Sequence, residues 1–314
     1  MENFRLKVFR AVASHLNFSR AAEELLLTQP AVTQQIKALE DECGGPLFDR
    51  TGGRIALNSA GKALLPYANR LKQISDKASE AVANAQGRQG GYLAIGASQT
   101  IAYYILPNLV VRFQRENPGV NITAKSGNTD EILQDLVDHK FQLALIEGPT
   151  LRKDIHVEPF MEDQVVLAVP ADHEWADSEI PISALQDAPL LIREFGSGSR
   201  RSVENAIVEA GLRMKDLKIK MELDSTEGLL SAAEAGLGVT FVSRWAVRHY
   251  LALGALKLAH VQGLQITKMF SIAYPTGPEP TGNSGAFRSY LRSEAMARTW
   301  NVSHSPHMAR HKQK

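Results

Sequence analysis

Residues 18–37 decide the fold: Phe18-Ser19-Arg20-Ala21-Ala22-Glu23-Glu24-Leu25, then Leu27-Thr28-Gln29-Pro30-Ala31-Val32-Thr33-Gln34-Gln35-Ile36-Lys37. The pattern predicts two amphipathic helices separated by a short turn. Ser19 serves as the cap of the first. The second starts after Thr28, with Pro30 in its first turn, where a missing N–H costs no hydrogen bond. At roughly 100° per residue, Gln29, Thr33 and Lys37 share one side with Pro30 and Gln34. Val32, Ile36 and Leu39 form a separate stripe that packs inward. The outward row has the chemistry of a DNA reader: Gln pairs bidentately with an adenine edge, Thr serves base or phosphate, and Lys suits phosphate. A recognition helix reads bases near its N-terminal end, where Gln29, Pro30, Thr33 and Gln34 lie. The residues alone also allow a three-helix interaction module whose polar face is simply solvated.

Working outward, Phe4, Val8, Val12 and Leu16 recur every four residues and predict a helix before this pair. The helix after Thr28 continues to about Glu42, and Gly44-Gly45-Pro46 stops it. Leu47 to Leu57 reads as two short strands joined by Gly52-Gly53. Arg50 and Arg54 flank that turn and suit the DNA backbone or the minor groove. Asn58 caps a long helix reaching about Ala85. Its Leu64, Ala68, Leu71, Ser75, Ala78, Val82 and Ala85 alternate at spacings of four and three, the seam of a coiled coil with a second copy. Packing on its own domain is the alternative. Gly87 to Gly91 forms a link.

From Tyr92 the pattern changes. Strands are predicted at 92–97, 120–125, 143–147, 164–169, 190–193, 219–223, 239–242 and 270–274, with helices at 105–116, 130–138, 201–209 and 226–235. Such alternation implies parallel or mixed sheets covered by helices, and its length implies two lobes. The chain leaves the first lobe near Glu162 and returns at about Phe270, so two crossovers make a hinge. The expected organisation is a DNA-binding domain over 1–58, a linker helix over 59–88 and an effector domain over 89–300. Its first lobe takes 91–162 and 269–300, its second 163–268. A basic, disordered tail covers 301–314.

Three loops each follow a strand and open a helix: Ser98-Gln99-Thr100, Gly127-Asn128-Thr129, and Gly196-Ser197-Gly198-Ser199-Arg200. A helix N-terminus offers unpaired N–H groups and positive potential to an anion. Hydroxyls add donors, and Arg200 or Arg201 adds full charge. In open α/β sheets, ligands bind beyond the strand C-termini, where these loops meet. Ordinary capped turns have the same composition, and no Gly-Lys-Ser/Thr follows to make a nucleotide loop.

The totals fit this division. The 314 residues exceed one ordinary core. Residues 1–88 hold 12 Lys/Arg against 9 Asp/Glu, whereas residues 89–297 hold 19 against 25, so a mildly basic head sits on an acidic body. The single cysteine, Cys43, excludes a disulfide framework and a multi-cysteine metal site, and reads as a small buried hydrophobe. No apolar stretch reaches transmembrane length and no signal peptide precedes the helices, which implies the cytoplasm. Histidines lack metal-ligand spacing, and Gly196-Ser197-Gly198 lacks the frame of a nucleophile elbow, so an enzyme is not expected. A solute receptor would suit the α/β body alone, but not the N-terminal head.

The quoted helices, together with Leu47-Phe48-Asp49-Arg50, resemble the N-terminal signature of LysR-type transcriptional regulators. The family usually has Ser where Thr33 stands, a change that keeps the hydroxyl. The resemblance implies a multi-domain α+β protein: a winged helix-turn-helix, a linker helix and a two-lobed effector domain like a type 2 periplasmic binding protein. It implies DNA contact by Gln29, Pro30, Thr33, Gln34, Lys37, Arg50 and Arg54. It also implies an effector cleft lined by Ser98, Gln99 and Thr100, by Gly148 and by the second-lobe loop of Ser197, Gly198, Ser199 and Arg200. To these the reading of the loops adds Asn128 and Thr129, and the stretch at Ser225 adds Thr226. The stretch from Arg193 to Arg200, with Ser225-Thr226-Glu227, is similar to a subgroup tied to sulfur-assimilation or carbon-fixation operons. That subgroup usually has Pro or a small residue near Phe195, which would alter the cleft, and Thr at Ser199. Expected partners are double-stranded DNA, a small anionic effector, further copies in a homodimer or homotetramer, and RNA polymerase during activation. No cofactor, metal or membrane is expected.

Overall fold

The computed structural model describes residues 3–51, 54–85 and 90–293. Helix α1 (Phe4–His15) is capped by Asn3. Helix α2 (Phe18–Leu25) starts one residue before the predicted cap: Asn17, not Ser19, accepts from the Ser19 and Arg20 backbone N–H groups. Asn at that position satisfies two donors that a helix start otherwise leaves unpaired. Helix α3 (Gln29–Cys43) is capped by Thr28 and ends at Gly44, whose φ of 76° suits glycine. Strand β1 (Phe48–Thr51) pairs antiparallel with β2 (Arg54–Leu57). Gly52 and Gly53 lie outside the described residues, as does the Arg54 side chain. Val8, Phe9, Val12, Val32, Ile36 and Phe48 are buried together. The Phe48 ring packs on both Phe9 and Phe18, at 5.6 and 6.0 Å between centroids. Cys43 is exposed, correcting the buried reading: it continues the spacing of Val32, Ile36 and Leu39, but stands on the last residue of α3 before Gly44, beyond the buried residues of that helix.

Helix α4 (Ser59–Ala85) follows Asn58, whose side chain accepts from the Gly61 N–H at 2.9 Å. The expected seam divides. Leu64 and Ala68 pack into the head's own core, while Leu71 and Val82 stay exposed together with Ile74. Further along, Asn69 donates to the Asp138 carbonyl at 2.7 Å and Gln73 to the His139 carbonyl at 2.8 Å. These bonds tie α4 to the effector domain.

That domain begins with β3 (Gly91–Ser98), α5 (Gln99–Tyr104), α6 (Leu106–Glu116), β4 (Val120–Gly127), α7 (Thr129–Val137) and β5 (Leu143–Glu147). There follow β6 (Ile155–Pro170), β7 (Glu179–Ile180), β8 (Leu190–Arg193), α8 (Gly198–Glu209), β9 (Ile219–Leu223) and α9 (Thr226–Glu234). The chain closes with β10 (Val239–Ser243), α10 (Arg244–Leu253), β11 (Leu256–Val261), β12 (Ile266–Pro275) and α11 (Gly282–Leu291). The expected helix over 105–116 is α6, which starts at Leu106; Ile105, with φ of −120°, separates it from α5, a helix that was not expected. Helix α8 begins three residues earlier than expected, so Gly198, Ser199 and Arg200 form its first turn.

Strand order is β4-β3-β5-β12-β6-β10-β8-β9. The two lobes share one hydrogen-bonded path because β6 and β12 run antiparallel through both. Phe270–Ala273 of β12 pairs with β5 of the first lobe, and Val165–Ala168 of β6 pairs with β10 of the second. A register shift between Phe270 and Ser271 marks the passage. The expected strand at 164–169 is thus only the second half of β6. Its first half, 155–163, carries Pro159 and several charges and is mostly exposed on one face, which hides the strand signal. Residues 294–314, including the expected tail, lie outside the described residues, as do 86–89 of the expected link.

Candidate DNA-reading face and inter-lobe site

On α3, Gln29, Pro30, Gln34 and Lys37 are exposed and Thr33 is half-buried, opposite the buried Val32, Ile36 and Leu39. Ser19, displaced from its capping role, donates to the Gln29 side-chain oxygen at 3.2 Å. Thr33 donates to the Gln29 carbonyl at 3.0 Å. Arg50 lies 5.0 Å over the Phe18 ring and 3.4 Å from Glu40. Thr33, Lys37 and Arg50 line one groove between α3 and β1. The head therefore brings the polar row expected on α3 and the Arg50 cation to one face.

In the body, four helix starts converge where the lobes meet. Ser98 precedes α5, and Asn128 caps α7 with a reciprocal bond from Glu131. Ser197 accepts from the Arg200 N–H at the head of α8, and Ser225 accepts from the Gly228 N–H at the head of α9. The lobes touch directly. The Gln99 side chain donates to the Asp224 carbonyl at 2.7 Å and accepts from the Thr226 N–H at 3.2 Å. The Asp130 N–H donates to the Gly196 carbonyl at 3.2 Å. Arg201 reaches across to the Asp130 carboxylate at 2.9 Å and the Pro149 carbonyl at 3.2 Å. Gly148, with φ of 74°, and Gly198 meet backbone to backbone. A Cβ on Gly198 would run into the Glu147 carbonyl and the Thr129 hydroxyl, so this approach requires glycine.

Beneath that contact lies a buried charged cluster. Lys268 of β12 pairs with Glu147 at the end of β5, and its ammonium also contacts the Ser199 hydroxyl. Ser199 donates to the Glu147 carboxylate at 2.8 Å across the lobes. Asp163 of β6 stands 3.5 Å from the Lys268 ammonium. All three charged side chains are at most 3% exposed. Burial opposes the Glu147 charge, but Lys268, Ser199 and Thr100 hold its carboxyl below the usual range. Asp163 goes the other way: burial dominates and pushes it up to about 6. The Ser98 hydroxyl is 1% exposed as a residue and has no hydrogen-bond partner among the described atoms.

A model described as "Bacterial regulatory helix-turn-helix protein, lysR family" matches residues 4–62, and "LysR substrate binding domain" matches residues 86–296. The chain belongs to the LysR family. It is 33% identical to the "RuBisCO operon transcriptional regulator" of Acidithiobacillus ferrooxidans, across 91% of this chain and 92% of that one. The CcmR regulatory domain of Synechocystis PCC6803, solved in complex with 2-PG, superposes with a TM-score of 0.59 at 25% identity, over 64% of this chain and 95% of that one. Full-length CbnR complexed with its target DNA shares the fold, with a TM-score of 0.67 at 23% identity over 93% and 99%. The LysR protein is a transcriptional regulator with an effector-binding domain, not an enzyme. No helix among its described residues is long and apolar enough to cross a membrane.

The cleft of this LysR protein differs from expectation in its cation. Ser98, Gln99, Thr100, Asn128, Thr129, Gly148, Ser197, Gly198, Ser199 and Thr226 gather at the lobe junction. Arg200 does not join them. Its guanidinium is bound by Glu204 at 2.6 Å, Glu222 at 2.7 Å and the Arg193 carbonyl at 2.8 Å, all in the second lobe. Phe195 is 76% exposed and stacks with Arg200 at 3.8 Å. Thr226 spends its hydroxyl on the buried Arg193 at 2.7 Å. The buried cation at the junction is Lys268, which sequence reading missed together with Glu147 and Asp163. The available signal was a charge at the end of the all-buried strand Leu143–Glu147, where a carboxylate demands a partner.

Proposed function

We propose that this LysR regulator reads operator DNA with Gln29, Pro30, Thr33, Gln34, Lys37, Arg50 and Arg54, under control of a small anion bound between the lobes. Ser98, Gln99, Thr100, Asn128, Thr129, Gly148, Ser197, Gly198, Ser199 and Thr226 form its site, with Lys268 in place of Arg200 as the cation. One observation carries the anion reading: a fully buried ammonium stands at a junction of helix N-termini lined with hydroxyls. The 2-PG held by the related CcmR domain supports the same charge class, and the RuBisCO-operon relatives support a carbon-fixation target. The exposed Leu71, Ile74 and Val82 of α4 suit pairing with a second copy, in a homodimer or homotetramer. RNA polymerase is the further partner when the protein activates.

The test is thermal unfolding of the full chain against sulfate, phosphate, 2-phosphoglycolate and simple carboxylates. Binding to the folded state alone must raise Tm with occupancy, by about 2.7 kcal/mol of stabilisation at a hundred times Kd. A saturable rise for one anion, accompanied by a change in operator affinity, is expected. A flat response across the panel would overturn the anionic effector and leave the DNA-reading face standing.

A further inference from the structure

We propose that Glu147 is a built-in stand-in for the effector, so that an anion binds this cleft by displacing a carboxylate already seated on Lys268. The inference rests on the anion site proposed above and adds a determinant of which anions can use it. Glu147 sits on the last residue of β5, a strand buried along its whole length. Its carboxylate takes the donors an incoming anion would want. The Lys268 ammonium contacts it from β12, Ser199 donates to it at 2.8 Å from the first turn of α8, and Thr100 stands beside it from α5. These donors come from both lobes and from the crossover strand, so the carboxylate fastens the lobes as a bound anion would.

Charge forces the exchange. Lys268 and Glu147 neutralise each other, and among the described residues Asp163 is the further charged group paired with Lys268, from β6. Arg200 and Arg201 of α8 are engaged elsewhere, by Glu222 and by Asp130. A second anion added to an intact Lys268–Glu147 pair would leave an uncompensated negative charge in a buried site, which is strongly unfavourable. Entry therefore requires the Glu147 side chain to leave Lys268 or to take up a proton. Selectivity follows: a ligand must outbid a tethered carboxylate, which favours dianions over monocarboxylates and excludes neutral molecules of the same size.

The experiment compares wild type with Glu147→Gln and Glu147→Ala in the full chain, using 2-phosphoglycolate, sulfate and acetate as probes. Glu147→Gln keeps the shape and removes the competitor, so 2-phosphoglycolate or sulfate binds at least about tenfold more tightly by calorimetry. Glu147→Ala leaves a carboxylate-sized gap beside Lys268; it lowers Tm, and acetate restores it saturably while leaving wild-type Tm unchanged. Lys268→Met abolishes anion binding in every background. Anion affinity that is unchanged or weaker in Glu147→Gln, with no acetate rescue of Glu147→Ala, overturns the stand-in while the anion site survives. No anion binding by wild type or either Glu147 variant overturns both.

Discussion

In the reading head the buried side chains are Val8, Phe9, Val12, Val32, Ile36 and Phe48; at the inter-lobe junction they are Ser98, Thr100, Glu147, Asp163, Ser199 and Lys268. An apolar core has no partner other than itself, so the head either holds its shape or melts. Hydroxyls, carboxylates and an ammonium can trade one partner for another of like chemistry at small net cost. The junction can therefore rearrange while the head remains rigid. A regulator needs both, because operator geometry must be constant and effector response must not be.

The sharpest way to break this comparison is Phe9→Ala. Removing a fully buried aromatic costs about 3–5 kcal/mol. DNA binding is expected to disappear, while anion-induced stabilisation of the body persists. Loss of the anion response in the same variant would show that the two regions do not fold independently. A smaller effect comes from pH. Asp163 titrates near 6 in the folded chain, above its ordinary 3.8, so the folded state holds the extra proton. Its contribution is therefore full below about pH 4 and is lost as pH rises to 6, by about 1–3 kcal/mol. Glu158, held at about 2 by Arg288, acts oppositely and loses its contribution as pH falls below 4.5. Asp163→Asn should remove the falling limb of Tm between pH 4 and 6 and leave the acid limb; a surviving falling limb would assign it to another group. The smallest effect is expected from Arg201→Ala, which removes a half-exposed bridge between lobes worth at most about 1 kcal/mol. Its signature is a modest change in effector affinity with no change in DNA binding without effector. A collapse of stability would mean that the bridge, not the polar cluster, holds the lobes.

The same contrast explains what could be read in advance. The head was legible because its signals are local: a cap at Thr28, a stop at Gly44 and an apolar stripe within one helix. The loop positions at Asn128 and Ser197 were legible too, since each of those strand-to-helix passages carries its own capping side chain, and Ser98 was legible from its place between strand and helix rather than from a capping bond. The charges were not. Glu147 and Lys268 stand 121 residues apart in sequence. Asp163 lies in the half of β6 obscured by Pro159. The two arginines show how fine the problem is: neighbours on one helix turn point about 100° apart. Arg201 therefore crosses to the first lobe while Arg200 stays within the second.

Helix α7 is nine residues long, a rod of about 13 Å. Its first turn grips the second lobe through the Asp130 N–H, and the carbonyls just past its last turn hold Asn69 and Gln73 of α4. A hydrogen-bonded helix this short bends little, so a tilt imposed at the effector end must be delivered to the other. The polypeptide route between cleft and linker helix passes through residues 86–90, whereas these hydrogen bonds join α4 to the end of α7 directly, beside the packing of α4 on β3 and α11.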